Sequence, residues 1–180
     1  MLPRNTVWIG PAVAVLLSLS CDSLTQAPEL SKSTRALRLG QWLPRMSERD
    51  AIGAVDAPVE RATPLFRSLF QSRSTGIVFK DEEGTGADRL MTRRLEQRLE
   101  RLNRLVEVEW DGLRLRVTEA WDENLEHGPQ SAHYEGRAAD LTTSDLDPDK
   151  LGRLAYLAVQ AGFDWVYFEN ASHIHASVHK

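Results

Sequence analysis

The hydrophobic period of this chain switches near its middle from steps of three and four to strict alternation, and that switch fixes the kind of fold it can adopt. From Asp88 to about Glu107 the apolar residues Leu90, Met91, Leu95, Leu99, Leu102, Leu105 and Val106 recur in steps of three and four. That spacing lays them along one face of a helix. The opposite face is rich in Arg with interspersed Glu, the composition of a solvated surface. A few residues later Leu113-Arg114-Leu115-Arg116-Val117-Thr118 alternates apolar and polar, the pattern of a strand with one buried face. A one-faced helix beside a one-faced strand buries both faces by packing helix on sheet.

The remaining elements extend that scheme. Gly76-Ile77-Val78-Phe79 is a short apolar run of strand-forming residues, and Ala138 to Thr142 reads as another strand. Asp147 is placed to cap a second helix, Pro148 suits its first turn and Gly162 follows its end. Leu151, Leu154, Ala155 and Ala158 would form the buried face of that helix. Trp165-Val166-Tyr167-Phe168 and Ile174 to Val178 read as a hairpin around Asn170-Ala171-Ser172. The expected class is α+β, with two main helices packed on a mostly antiparallel sheet.

The N-terminal segment has a different character. Arg4 is followed by the apolar stretch from Val7 to Leu17, then by Ser18-Leu19-Ser20 before Cys21. A basic start, a short apolar run and small residues describe a signal peptide over residues 1–20. The stretch resembles a bacterial lipoprotein signal, which implies lipidation of Cys21 and a membrane anchor. Residues 21–40 then form a polar tether, and the folded domain is expected over 41–180. The expected location is the periplasmic or extracellular face, anchored or secreted. Cys21 is the single cysteine, so an intrachain disulfide and a cysteine-based zinc site are both excluded. The chain carries 26 acidic and 22 basic residues, a formal charge of −4 that gives no footprint for a nucleic-acid partner.

Two clusters carry chemistry. The five histidines, His127, His133, His173, His175 and His179, all fall in the last third of the chain. A catalytic zinc takes three protein ligands, commonly His and carboxylate. His133, Asp140 and His175 could supply them, although a His and an Asp seven apart also arise by chance. In a strand His173 and His175 share a face, and Glu169 opens the same hairpin. A carboxylate beside metal-bound water can take its proton and pass it to a leaving amine. The second cluster is Asp81-Glu82-Glu83-Gly84-Thr85-Gly86-Ala87-Asp88, complemented by Glu119, Asp122, Glu123 and Asn124. Such a gathering of carboxylates suits a hard cation with oxygen ligands, as calcium is. It equally suits an acidic helix N-terminus and loop.

Taken together, four stretches resemble the hedgehog N-terminal signalling domain family: Val78 to Met91, Leu115 to Glu123, His133 to Ala138, and Ala161 to Tyr167. The Ser-x-His-x-x-Gly-x-Ala-x-Asp pattern of Ser131 to Asp140 is also similar to that of zinc D-Ala-D-Ala carboxypeptidases, whose fold that family shares. The resemblance implies zinc on His133, Asp140 and His175. It implies Glu169 as catalytic carboxylate, with His127 and His173 flanking it. It also implies calcium on Glu82, Glu83, Asp88, Glu119, Asp122 and Asn124, where the family usually has Asp at the last position. His179 matches no role.

Some family features are not found in this stretch. Cys21 is followed by Asp22-Ser23 rather than the mature hedgehog start, the basic run that binds heparan sulfate is missing, and the stretch ends at Lys180. These differences set the expectation of a bacterial-type relative without an autoprocessing domain. Its expected activity is that of a zinc metallopeptidase, with cell-wall D-Ala-D-Ala-type peptides or a peptidoglycan stem as substrate. The alternative expectation is a signalling or binding module that meets a protein partner at its calcium face, with zinc structural.

Overall fold

In the computed structural model, residues 35–82 and 84–180 are described. The expected signal peptide, Cys21, most of the tether and Glu83 lie outside the described residues. No helix among the described residues is long and apolar enough to cross a membrane.

Among the described residues, eight strands and three helices follow one another. They are β1 (Trp42–Leu43), α1 (Glu48–Ile52), β2 (Phe70–Gln71), β3 (Val78–Phe79), β4 (Leu90–Met91), α2 (Arg93–Glu109), β5 (Leu115–Glu119), β6 (Ala138–Thr143), α3 (Leu151–Ala161), β7 (Trp165–Tyr167) and β8 (Ile174–Ser177). Six strands form one sheet in the order β1-β7-β8-β6-β5-β3, and β2 pairs with β4 separately. Every pair in the large sheet is antiparallel except β3 with β5. The mixed α+β architecture is the one that the two hydrophobic periods require.

The helix expected from Asp88 begins later, at Arg93. Residues Ala87–Arg89 form a single 3-10 turn and Leu90–Met91 pair as β4. Thr92 starts the helix because its side chain accepts a hydrogen bond from Leu95 N at 3.3 Å, meeting one of the unpaired donors of the first turn. Leu90 and Met91 are buried all the same. Their apolar character therefore mimicked a helix face while serving a strand. The second main helix keeps its expected ends. Asp147 accepts from Asp149 N at 3.0 Å, a 3-10 turn spans Pro148–Lys150, and Gly162 terminates α3 in the left-handed region.

One face of the sheet carries both long helices. Leu95, Leu99, Leu102 and Val106 of α2 and Leu154 and Ala158 of α3 are fully buried with Val117, Leu141, Ile174 and Ala176 of the sheet. Burial of each large aliphatic side chain contributes about 1.5–3 kcal/mol. Leu37, within the stretch read as tether, is buried in this core, and its N–H donates to Gly152 O at 2.9 Å. The approach requires glycine at 152, since a Cβ there would stand 2.5 Å from Leu37 O. Strand alternation sends the intervening residues to the other face. There, register aligns Trp42 with Tyr167, Tyr167 with His175, His175 with Asp140, and Asp140 with Glu119. An irregularity between Val117 and Glu119 brings Glu119 into that row.

Candidate metal centre

The cross-strand row places His175 of β8 beside Asp140 of β6, and a loop delivers His133 to them. His133 lies in the 3-10 turn Ala132–Glu135, which ends at Gly136 with φ 63°. A Cβ at Gly136 would meet Leu69 Cδ2 at 2.7 Å and Met91 Cα at 3.1 Å, so glycine lets the turn sit tight against the domain.

Three ligand atoms converge. His133 Nε2 is 3.2 Å from His175 Nδ1 and 3.4 Å from Asp140 Oδ1, and His175 Nδ1 is 3.2 Å from Asp140 Oδ1. Tetrahedral ligands about 2.0–2.1 Å from a zinc ion stand roughly 3.3–3.4 Å apart, so the donor set fits that ion. The outer nitrogens fit as well. His133 Nδ1 is 2.7 Å from Ala120 O, which can only accept, so Nδ1 carries hydrogen and leaves Nε2 to face the centre. His175 Nε2 is 2.7 Å from Glu48 Oε1.

The electrostatics follow from burial and pairing. Burial alone would pull the His175 imidazole down, but hydrogen bonds to Asp140 and Glu48 push it up to about 10. His133 is buried, which opposes its charged form, yet it is raised because the charge and hydrogen bond of Asp140, with the Ala120 carbonyl, together outweigh that burial. Burial opposes ionisation of Asp140, yet the surrounding imidazoles hold its carboxyl well below the usual range. Glu48 is likewise lowered, its burial being outweighed by the hydrogen bond and charge of His175 together with Ser177 and His133.

The other expected histidine-site residues surround this triad. His173 Nε2 lies 3.3 Å from Asp140 Oδ2 and 3.2 Å from Glu169 Oε2. Glu169 is partly exposed at the margin of a cleft that also contains His127, Trp165 and Tyr167. His127 stacks on His133 with ring centroids 4.4 Å apart, and its Nδ1 is 2.8 Å from Asp122 Oδ2. Tyr134 donates its hydroxyl hydrogen to the His127 carbonyl. His179, which sequence left without a role, sits at the exposed end with its N–H on Asp164.

The acidic residues share a recess without converging on one point. Glu82, Asp88, Glu119, Asp122 and Asn124 all line it. Asp88 is buried and accepts from Asp81 N at 2.7 Å, while Glu82 pairs with Lys80. Glu123 is held in a bidentate pair by Arg61. Asp122 is engaged by its own loop: Oδ1 accepts from the Asn124 and Leu125 N–H groups, and Oδ2 from those of Glu126 and His127. Burial raises the Glu119 carboxyl, a carboxylate left without enough positive charge nearby.

Sequence reading missed Glu48 and the Ala120 carbonyl. Glu48 carries no local signal beyond that of an acid in the first turn of a capped helix.

Comparison with known proteins identifies the family. The family model of the Hedgehog amino-terminal signalling domain matches residues 22–177. Indian hedgehog protein of Gallus gallus is 51% identical over 140 residues, covering 77% of this chain and 34% of the relative. Sonic hedgehog protein of Danio rerio is 48% identical over 149 residues, covering 82% and 36%. Protein hedgehog of Drosophila virilis is 49% identical over 144 residues, covering 79% and 30%. The chain thus spans about a third of the length of the curated relatives it matches. These relatives are animal proteins and lend no support to the expected cell-wall peptidase or lipoprotein. With that match running over nearly the whole chain, the protein belongs to the hedgehog amino-terminal signalling domain family.

Proposed function

We propose that this domain is a secreted signalling ligand of the hedgehog type, which works by binding protein partners rather than by turnover. The observation that carries this reading is the family match over residues 22–177, together with near-half identity to hedgehog proteins. In this reading zinc is held by His133, Asp140 and His175, and its role is structural. It joins β6, β8 and the 132–135 turn across a site whose donors otherwise need protons to coexist. Calcium is held by Glu82, Asp88, Glu119, Asp122 and Asn124 in the recess they line, with Glu83 of the neighbouring sequence as a further ligand, and the partner docks over that face. Asn124 supplies an oxygen without charge, which lowers calcium affinity relative to Asp.

The experiment is partner capture. Purified protein is applied to cells that respond to the hedgehog relatives, with and without calcium and with and without a zinc chelator. Calcium-dependent surface binding and a transcriptional response are expected. Absent binding, or binding indifferent to calcium, would overturn the reading.

A second reading, peptide hydrolysis, is favoured by one observation. Glu169 stands at the cleft margin beside His173 and Asp140, where a proton acceptor for metal-bound water is needed. The shared fold with D-Ala-D-Ala carboxypeptidases belongs to this reading and is supported by the Ser131–Asp140 pattern. Turnover of D-amino-acid peptides by wild type, and its loss in Glu169→Ala, would establish it.

A further inference from the structure

One side chain joins the N-terminal strap to the metal centre. The strap crosses the sheet edge through β1, which pairs with β7. Met46 O accepts from Trp165 Nε1 at 3.0 Å, and Ile52 is buried with Ala132, Ala138 and Trp165. Arg137, itself buried, donates from one nitrogen to Ile52 O and Val178 O, both at 3.1 Å. From this strap Glu48, in the first turn of α1, sets Oε1 2.7 Å from His175 Nε2.

We propose that Glu48 is the outer carboxylate of the metal centre, fixing His175 with Nδ1 bare toward His133 and Asp140, and so tying zinc affinity to docking of the strap. This inference rests on the zinc reading above.

The chemistry follows from the imidazole. A neutral ring has one hydrogen-bearing nitrogen and one lone pair. His175 must offer Nδ1, since that atom faces His133 Nε2 and Asp140 Oδ1. Its hydrogen then belongs on Nε2, and Glu48 is the acceptor there. A carboxylate in that position also makes the ring a stronger donor to the metal. Coupling follows because α1 has five residues, far too few to persist as a helix without tertiary contacts. If docking of the strap raises zinc affinity, bound zinc holds the strap down by the same factor.

The test uses the full chain with zinc as the probe. Zinc affinity is measured by competition with a chromogenic chelator for wild type, Glu48→Gln and Glu48→Ala. Glu48→Ala is expected to weaken zinc about 10- to 100-fold. Glu48→Gln, whose amide oxygen still accepts from Nε2, is expected to fall between the two. Trypsin cleavage at the exposed Arg45 and Arg49 reads the strap. Cleavage in wild type should rise when zinc is removed, and in Glu48→Ala it should be fast with or without zinc. A side chain that merely packed α1 would lower stability in both variants without changing zinc affinity. Wild-type affinity in a folded Glu48→Gln and Glu48→Ala would overturn the role of Glu48 and leave the zinc reading standing. Failure of wild type to take up zinc would overturn both.

Discussion

Asp140 sets the charge balance of the centre. Its carboxylate lies within 3.2 Å of His175, 3.3 Å of His173 and 3.4 Å of His133, and it is almost wholly buried. Asp140→Asn keeps the shape but removes the charge that favours the His133 and His175 imidazoliums. Breaking a buried pair from one side costs about 3–5 kcal/mol. The variant is therefore expected to lose zinc, and its metal-free form to unfold at lower urea concentration. Coincident urea midpoints in chelator would contradict this. Asn124 gives the converse case. Asn124→Asp adds a carboxylate to the acidic recess, next to Glu119 and Asp122. Calcium should bind roughly tenfold more tightly, since ligand charge tunes such sites. The metal-free variant should be slightly less stable because the added charge meets like charge. Calorimetric calcium titration and melting in chelator read the two effects separately.

At the scale of elements, the turn that delivers His133 is the sensitive point. Gly136 has φ 63°, and a Cβ there meets Leu69 and the Met91 backbone. Gly136→Ala is expected to cost more than about 1 kcal/mol from left-handed strain alone, with the contacts adding to it. Because the turn must shift, zinc affinity should fall along with stability, as denaturation and chelator competition would show. A loss of stability with unchanged zinc affinity would mean that the turn does not position His133. The same elements show what sequence could and could not reveal. The α2 face was legible because its apolar spacing is local, yet its start was not. Leu90 and Met91 are buried as a strand, and only the Thr92 cap marks the true boundary. His133, Asp140 and His175 were legible as a set only through the family resemblance, because alternation gives His173 and His175 the same face and a His and an Asp seven apart also arise by chance. Glu48 was not legible, because it lies 127 residues from His175 and their contact exists only once the strap crosses the sheet. Nor does sequence tell that Asp122 spends both oxygens on its own loop.

For the whole molecule, the metal centre should give the metal-free protein a loss of stability at alkaline pH that the zinc-loaded protein lacks. His175 is pushed up to about 10 in the metal-free fold, against about 6.5 for an unfolded His. A raised pKa gives stability that is fully present below the unfolded value and is lost as pH rises through the folded one. The metal-free protein should therefore lose stability progressively from about pH 6.5 toward 10. On the acid side, Asp140 and Glu48 are lowered, so their contribution is present above the ordinary carboxyl range and is lost as pH falls. The metal-free optimum accordingly lies in mildly acidic solution, between those two limits. Zinc removes the alkaline limb, because it takes the place of the proton on His175 Nδ1 and its tighter binding as that proton leaves offsets the loss. Its stabilisation grows with the ratio of free zinc to the dissociation constant. The gap in melting temperature between zinc-loaded and chelated protein should widen steadily from pH 6 to pH 9, because the chelated protein falls while the zinc-loaded protein does not. Calorimetric scans at unit pH intervals, with zinc in fixed excess or with chelator, measure that gap directly. A gap that stays constant across the range would show that zinc binding displaces no proton from the centre.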